Sequence, residues 1–353
     1  MDVVAVISQS ALTHNLSVVK NQSLAKIVAM VKANGYGHHL DLLMPLIDNA
    51  DILAVSELSE AQKLRSLTKR PILLLSGVYS EEALQQAIAL ECQIVVHHSS
   101  QIPIINNSSK ALSVWLKIET GMHRLGLSAA EYQHCLTDFK ANALISIECV
   151  MSHFACADEF ENPINQRQLK VFEQLTNNQN NRSMANSAGI LSNPQSHFDF
   201  VRPGIMLYGA SPSPATNNDF GLQPVMQLCA PILSIKTIQA GESVGYGSTW
   251  TADKTSRIAI IGIGYGDGYP RHAKNGTPVL INGTLYPLVG RVSMDMIVVN
   301  ITDTDDTKVG VGDIAILWGD EKLRVETVAK YSDTISYELL TNVSHRVKFI
   351  RGA

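Results

Sequence analysis

The chain has 353 residues, 45% apolar and 17% charged, which excludes a mini-protein or a disordered tract and leaves room for about two domains, or one barrel-sized domain with a smaller companion. Its 28 Lys and Arg against 32 Asp and Glu leave a formal charge of −4, which argues against a nucleic-acid footprint spread over the whole surface. Five cysteines, Cys92, Cys135, Cys149, Cys156 and Cys229, form no C-x-x-C pair, so neither a disulfide scaffold nor a structural zinc site is expected.

In chain order, the opening MDVVAVISQSALTHNL carries no basic leader, and its apolar stretch, Val3 to Ile7, is too short for a signal-peptide core or a membrane span. A cytoplasmic protein with no membrane partner is expected. From there to about Met206, short β-branched or Leu-rich runs alternate with longer segments of helical spacing, the pattern of βα units on a parallel sheet. Strands are predicted at Ile27 to Val31, Ile52 to Val55, Ile72 to Leu75, Ile94 to Val96, Ser113 to Ile118, Leu144 to Met151, Ser183 to Ala185 and Phe200 to Met206. Helices are predicted at Glu57 to Leu67, Glu81 to Leu90, Ala129 to Asn142 and Ile164 to Asn177, the second opened by Ser80 with acidic residues in its first turn. About eight such units fit an N-terminal (β/α)8 TIM-type barrel. The alternative is an open doubly wound sheet, but no G-x-G-x-x-G follows the first strand, where such a sheet would carry it.

The text SPSPATNNDFGLQ, Ser211 to Gln223, reads as a linker and divides a barrel domain, 1–223, from a mostly β C-terminal domain, 224–353. Strands are predicted there at Val225 to Ile238, Arg257 to Ile263, Pro278 to Ile281, Met296 to Ile301 and Asp313 to Trp318, with a hairpin at Asn282-Gly283. Helix is expected only from Arg324 to Val347.

A barrel places its chemistry where the strands run out. Five predicted strand ends carry polar, reactive or Gly-rich residues: Lys32 with ANGYGHH behind it, LKIETGMHRLG, MSHF, MANSAG and VRPG. A lysine after a strand is ordinarily a solvated surface residue. The apolar run before Lys32 and the Gly-bearing turn after it instead place an ammonium at a barrel mouth, where partial desolvation lowers its pKa and opens Schiff-base chemistry.

Together AMVKANGYGHH, KIETGMHRLG, SHFACADE, ANSAG, VRPGIMLYG, VGYGSTW, IGIGYGDGYPR, GRVSMDM and ISYELL resemble the pyridoxal-phosphate-dependent alanine racemases, from Lys32 to about Arg346. The resemblance implies a homodimer that interconverts L- and D-alanine by two bases, making D-alanine for peptidoglycan in a bacterial source. Lys32 is implied to hold pyridoxal 5'-phosphate as an aldimine and to act as one base. Tyr246, reaching into the neighbouring subunit's barrel, is implied to be the other, since inversion needs a base on each face of the carbanion. Arg202 is implied to face the pyridine nitrogen, Arg124 to hold the substrate carboxylate or support the tyrosine, and Lys117 to position that arginine. Tyr36, Ser187, Gly204 and Tyr337 are implied to bind the phosphate, with Asn186 beside Ser187 and His153 on or near the ring. Tyr265 and Tyr337 are implied to narrow the entrance, with Asp267 and Arg271 lining its outer part, and Met294 and Asp295 to contribute substrate contacts from the second subunit.

Ser293 stands where some relatives carry cysteine, and SHRVKFIRGA departs from the more usual proline-bearing ending. His38-His39 and His97-His98 have no acidic or thiol partner at ligand spacing, so no metal is expected. Rival readings are a serine or broad-specificity racemase, a decarboxylase of the same fold, a cofactor carrier and a barrel used for interaction. Arg202 and GRVSMDM stand where the decarboxylases usually carry a glutamate and a cysteine-bearing segment. The β-rich half with Tyr246 is absent from the carriers, and an interaction barrel leaves the five strand ends unexplained.

Overall fold

The chain opens with a strand, β1 (Val4–Ser8), and a helix, Gln9–Gln22, whose first turn is capped by Ser8 Oγ accepting the Ala11 N–H at 3.1 Å. Eight parallel strands then close into a barrel: β2 (Lys26–Met30), β3 (Ile52–Val55), β4 (Ile72–Leu74), β5 (Cys92–Val96), β6 (Leu112–Lys117), β7 (Ile145–Met151), β8 (Arg182–Ser183) and β9 (Phe200–Val201). This computed structural model describes residues 2–213, 220–302 and 308–353.

The barrel strands are apolar nearly end to end because helices cover one face and side chains fill the other; all of Ile52–Val55 and all of Ile72–Leu74 are buried. The covering helices start where their sequences provide acceptors for free N–H groups. Ser80 Oγ accepts the Ala83 N–H at 3.2 Å, and Ser128 and Glu131 cap each other's backbone ahead of Ala129–Ala141.

The second half is an eight-stranded sheet ordered β15-β14-β17-β10-β1-β18, with β13 and β16 continuing from β10. Its strands are β10 (Met226–Ile238), β13 (Ser256–Ile261), β14 (Pro278–Ile281), β15 (Thr284–Pro287), β16 (Ile297–Asn300), β17 (Ile314–Trp318) and β18 (Lys348–Gly352); a small ribbon of β11 (Ser243–Val244) and β12 (Trp250–Thr251) stands apart. Asn282 and Gly283 both take positive φ, 46° and 80°, and Ile281 pairs with Thr284, so the hairpin forms as its sequence signals.

Three segments depart from the sequence reading. β1 belongs to the second sheet, antiparallel to β10 and parallel to β18, with Ala5 and Ile7 fully buried. The run from Phe200 gives strand only to Val201. Pro203 has no N–H for a ladder, and after Gly204 the chain turns into a tight 3-10 helix, Ile205–Tyr208. The expected C-terminal helix is two short helices, Val325–Tyr331 and Ser336–Thr341, separated by Asp333 at φ 48°, before β18 begins. The linker expected at Ser211 to Gln223 falls partly on 214–219, outside the described residues. On its flanks the Ser211 N–H donates to Glu326 Oε1 at 2.6 Å, and the Gln223 N–H to Asn15 Oδ1 at 2.8 Å.

Candidate active site

Lys32 lies two residues past the end of β2, and the backbone behind it is unusual. Ala33, Asn34, Gly35, Tyr36 and Gly37 all take left-handed φ, between 51° and 80°. Such a run costs about 1 kcal/mol or more per non-Gly residue, so neighbours must hold it. His38 Nδ1 donates to the Tyr36 carbonyl at 2.9 Å, Glu60 Oε1 accepts the Asn34 N–H at 3.2 Å, and a Cβ on Gly37 would lie 2.0 Å from the Leu340 carbonyl oxygen. The glycine is required there by both φ and space. His38 is fully buried and desolvation takes its pKa down to about 4, so at neutral pH it is an uncharged donor. Opposed rings complete the support: Tyr36 stacks on Tyr208 at 4.8 Å, and Tyr208 Oη donates to the Met30 carbonyl at 2.9 Å.

Burial first and the Arg124 charge second lower the Lys32 pKa, against a smaller raising effect of Glu60. Lys117, the last residue of β6, is held down to about 8 by desolvation and by Arg202, Arg124 and Lys32. Arg202, 3% exposed, is lowered to about 10 by burial. Its guanidinium donates to Ser183 Oγ at 2.6 Å, to the Met184 carbonyl at 3.3 Å and to the Ser152 carbonyl, and it meets His153 Nδ1 at 3.3 Å. All of these acceptors are uncharged. Desolvation, then Arg202, Lys117, Arg124 and Lys32, keep His153 neutral, well below the usual histidine range. Arg124 itself sits exposed in a loop whose entry is tied by Glu119, whose carboxylate accepts the N–H groups of Gly121, of Met122 at 2.7 Å and of His123 at 2.9 Å.

Four cations therefore depress or crowd one another at one mouth, with Glu60 and Glu119 the carboxylates that act on them. Beside them Ser187 Oγ accepts the N–H of Gly204 at 2.9 Å and of Met206 at 3.4 Å, and Asn186 Oδ1 caps the same short helix through the Gly189 N–H at 3.0 Å. A Cβ on Gly204 would lie 2.5 Å from Tyr36 Oη, and the Tyr337 ring lies 6.0 Å from that of Tyr36. Hydroxyls and backbone donors converging under surplus positive charge form a cradle for a phosphate. A lysine with a lowered pKa can bond an aldehyde. The donor set thus fits pyridoxal phosphate.

Lys32, Tyr36, Lys117, His153, Asn186, Ser187, Arg202, Gly204 and Tyr337 belong to this mouth; Tyr246 and Met294 do not pack into it. Both lie on the β-rich half, 71% and 52% exposed. Tyr246 follows Gly245, at φ 71°, in a turn seated near Arg291. Met294 adjoins the turn Tyr265–Asp267, since the Tyr265 N–H donates to the Ser293 carbonyl at 3.0 Å and the Gly266 N–H to the Met294 carbonyl at 2.8 Å. Arg346 bridges Asp267 at 3.4 Å and Asp295 at 2.7 Å across the same turn. Sequence reasoning gave no role to the supports Tyr208, Ser152, Ser183 and Gln168: Ser152 and Tyr208 lie inside quoted motifs and Ser183 begins a predicted strand, while Gln168 is marked only by the helical spacing around it.

A closed parallel barrel with an electropositive, hydroxyl-lined mouth, joined to a β-rich domain, defines a barrel enzyme of the pyridoxal-phosphate class. Residues 7–212 match the family described as Alanine racemase, N-terminal domain, and residues 225–351 match Alanine racemase, C-terminal domain. The chain belongs to the alanine racemase family. It is 64% identical over 345 residues to an alanine racemase of Vesicomyosocius okutanii, covering 98% of this chain and 97% of that one. It is 46% identical over 351 residues to one of Aeromonas hydrophila, covering 98% of each. Among solved structures, the biosynthetic alanine racemase of Pseudomonas aeruginosa superposes with a TM-score of 0.95 at 39% identity over 100% of both chains. The alanine racemase of Bartonella henselae with covalently bound pyridoxal phosphate gives 0.91 at 29% identity, again over 100% of both. Among the described residues no helix is long and apolar enough to cross a membrane.

Proposed function

We propose that this protein interconverts L- and D-alanine using Lys32 and Tyr246 as bases on opposite faces of the substrate Cα, in a site completed by a second copy of the chain. The observation that carries the reading is the separation of the two groups. Lys32 sits in a crowded cationic mouth, while Tyr246 projects from the β-rich half, 71% exposed and outside that mouth. A homodimer with the barrel domain, 1–223, facing the partner's C-terminal domain, 224–353, brings the two into one site; β1 then anchors the barrel to its own second sheet.

In this reading Tyr36, Ser187, Gly204 and Tyr337 would hold the phosphate, Asn186 fixes the Ser187 turn, and His153 would lie beside the ring as a neutral imidazole. When bound, pyridoxal phosphate supplies an aldehyde for covalent attachment and a conjugated ring that draws electrons from the Cα–H bond. Arg202, lowered by burial only to about 10, keeps its proton near neutral pH, so it would offer the ring nitrogen a donor and take no proton from it. Arg124 grips the substrate carboxylate with a planar two-pronged donor, Lys117 bears on that arginine through its charge, and Met294 limits the pocket from the partner's side. Desolvation leaves more of the Lys32 amine unprotonated near neutral pH, so it can take a proton from one face, while Tyr246 gives or takes one on the other. A proton lost from one face and regained on the opposite face inverts the centre.

Incubation with L-alanine, L-serine and L-lysine separately in D2O, followed by chiral separation and mass analysis, tests this. D-alanine carrying deuterium at Cα is expected, with the other two turned over at least about tenfold more slowly, the scale on which a small pocket discriminates one added group. Faster serine or lysine turnover assigns a different racemase, and no exchange at all removes the reading.

A further inference from the structure

Gln168, in helix Pro163–Thr176, is 1% exposed, and the chemistry above does not use it. Its amide ties two loops. Oε1 accepts the Ala155 N–H at 2.8 Å, while Nε2 donates to the His153 carbonyl at 3.1 Å and to Thr120 Oγ1 at 3.3 Å. The reverse amide orientation would set donor against donor at Ala155 and acceptor against acceptor at His153. The next bonds have a direction too. Ser152 Oγ donates to the Ile118 carbonyl at 2.9 Å, so in its 2.7 Å contact with Thr120 it is the acceptor, and the Thr120 hydroxyl donates to it. One chain of aligned hydrogen bonds thus runs from Gln168 through Thr120 and Ser152 to Ile118, buried where such bonds reinforce one another. The Ser152 carbonyl in turn receives Arg202. Gly121, at φ 130°, passes so close over this helix that its Cβ position lies 3.4 Å from Gln168 Cγ.

We propose that Gln168 is a positioning residue: it locks the loop Glu119 to Gly126, which carries Arg124, against the segment Ser152 to Ala155, which carries His153 and grips Arg202. The substrate-facing and cofactor-facing parts of the mouth then keep one register. This rests on the roles given above to Arg124 and His153. A helix behind the barrel strands thereby bears on substrate affinity without touching substrate.

The test uses holoenzyme with Gln168→Met, close in volume but without the amide, and Thr120→Val, which removes the Thr120 bonds to Gln168 and Ser152 but leaves Gln168 bonded to His153 and Ala155. Two readouts are taken: amide hydrogen exchange along the chain, and KM and kcat for alanine. Gln168→Met should speed exchange in both segments, and Thr120→Val chiefly in the Arg124 loop, because Ser152 keeps its bond to Ile118 and Ala155 its bond to Gln168. Thr120→Val should raise KM about tenfold while lowering kcat less, as expected when a carboxylate-binding group loses its placement. Unchanged exchange in these segments overturns the lock, as does exchange raised evenly over the whole chain. Faster local exchange with KM unmoved overturns the positioning role and leaves a purely structural one. If the wild-type holoenzyme does not turn over alanine, the functional reading fails, and the exchange data still decide the lock.

Discussion

Lys32→Ala is expected to abolish racemisation, a loss of roughly 10^4-fold or more, the scale found when a nucleophile that acts together with other groups is removed. The fold should survive. Lys32 contributes no backbone bond through its side chain, and the left-handed turn behind it is held by His38, Glu60 and the Leu340 contact at Gly37. Removing a partly desolvated cation from a mouth that also holds Lys117 and Arg202 relieves repulsion, so thermal stability should stay level or rise. Borohydride reduction of the wild-type holoenzyme should leave the cofactor's mass on the peptide carrying Lys32, and the variant should show none. Normal turnover by Lys32→Ala, or the cofactor mass on another lysine, would sink the assignment.

Tyr246→Phe should separate chemistry from binding. The side chain is 71% exposed, so losing one hydroxyl should leave folding and cofactor attachment intact. The loss should fall on proton removal from L-alanine, by about 10^2- to 10^4-fold, the usual contribution of a positioned general base. Exchange of the D-alanine α-proton into D2O, on the face opposite Tyr246 and so served by Lys32, should fall much less. Equal loss of exchange from both enantiomers together with loss of cofactor would make Tyr246 structural.

Much of this was legible in the sequence because its signals are local. β3 and β14 lie where apolar runs bounded by polar residues put them, the Ser80 cap and the Asn282-Gly283 turn are formed, and Lys32 ends an apolar run at the barrel mouth. Features settled by distant partners were not legible. β1 is five residues whose place depends on β10 and β18, more than 200 and 300 positions away in the chain. The short β9 reflects Pro203, which lacks the N–H a ladder needs, and the turn after Gly204. The positive φ at Ala33, Asn34 and Tyr36 shows in no composition rule, since only the glycines between them advertise it. Gln168 reads as one more polar residue on an amphipathic helix until Thr120 and His153 are brought against it.

The central claim is that Lys32 of one chain and Tyr246 of another form one site, and mixing the two inactive variants tests it most directly. Lys32→Ala and Tyr246→Phe chains, denatured and refolded together, should form mixed dimers with one doubly defective site and one intact site. With random pairing, about a quarter of wild-type activity should return, while each variant refolded alone stays at or below about 1% of it. No recovery despite mixed dimers demonstrated by native mass would contradict a site shared between chains.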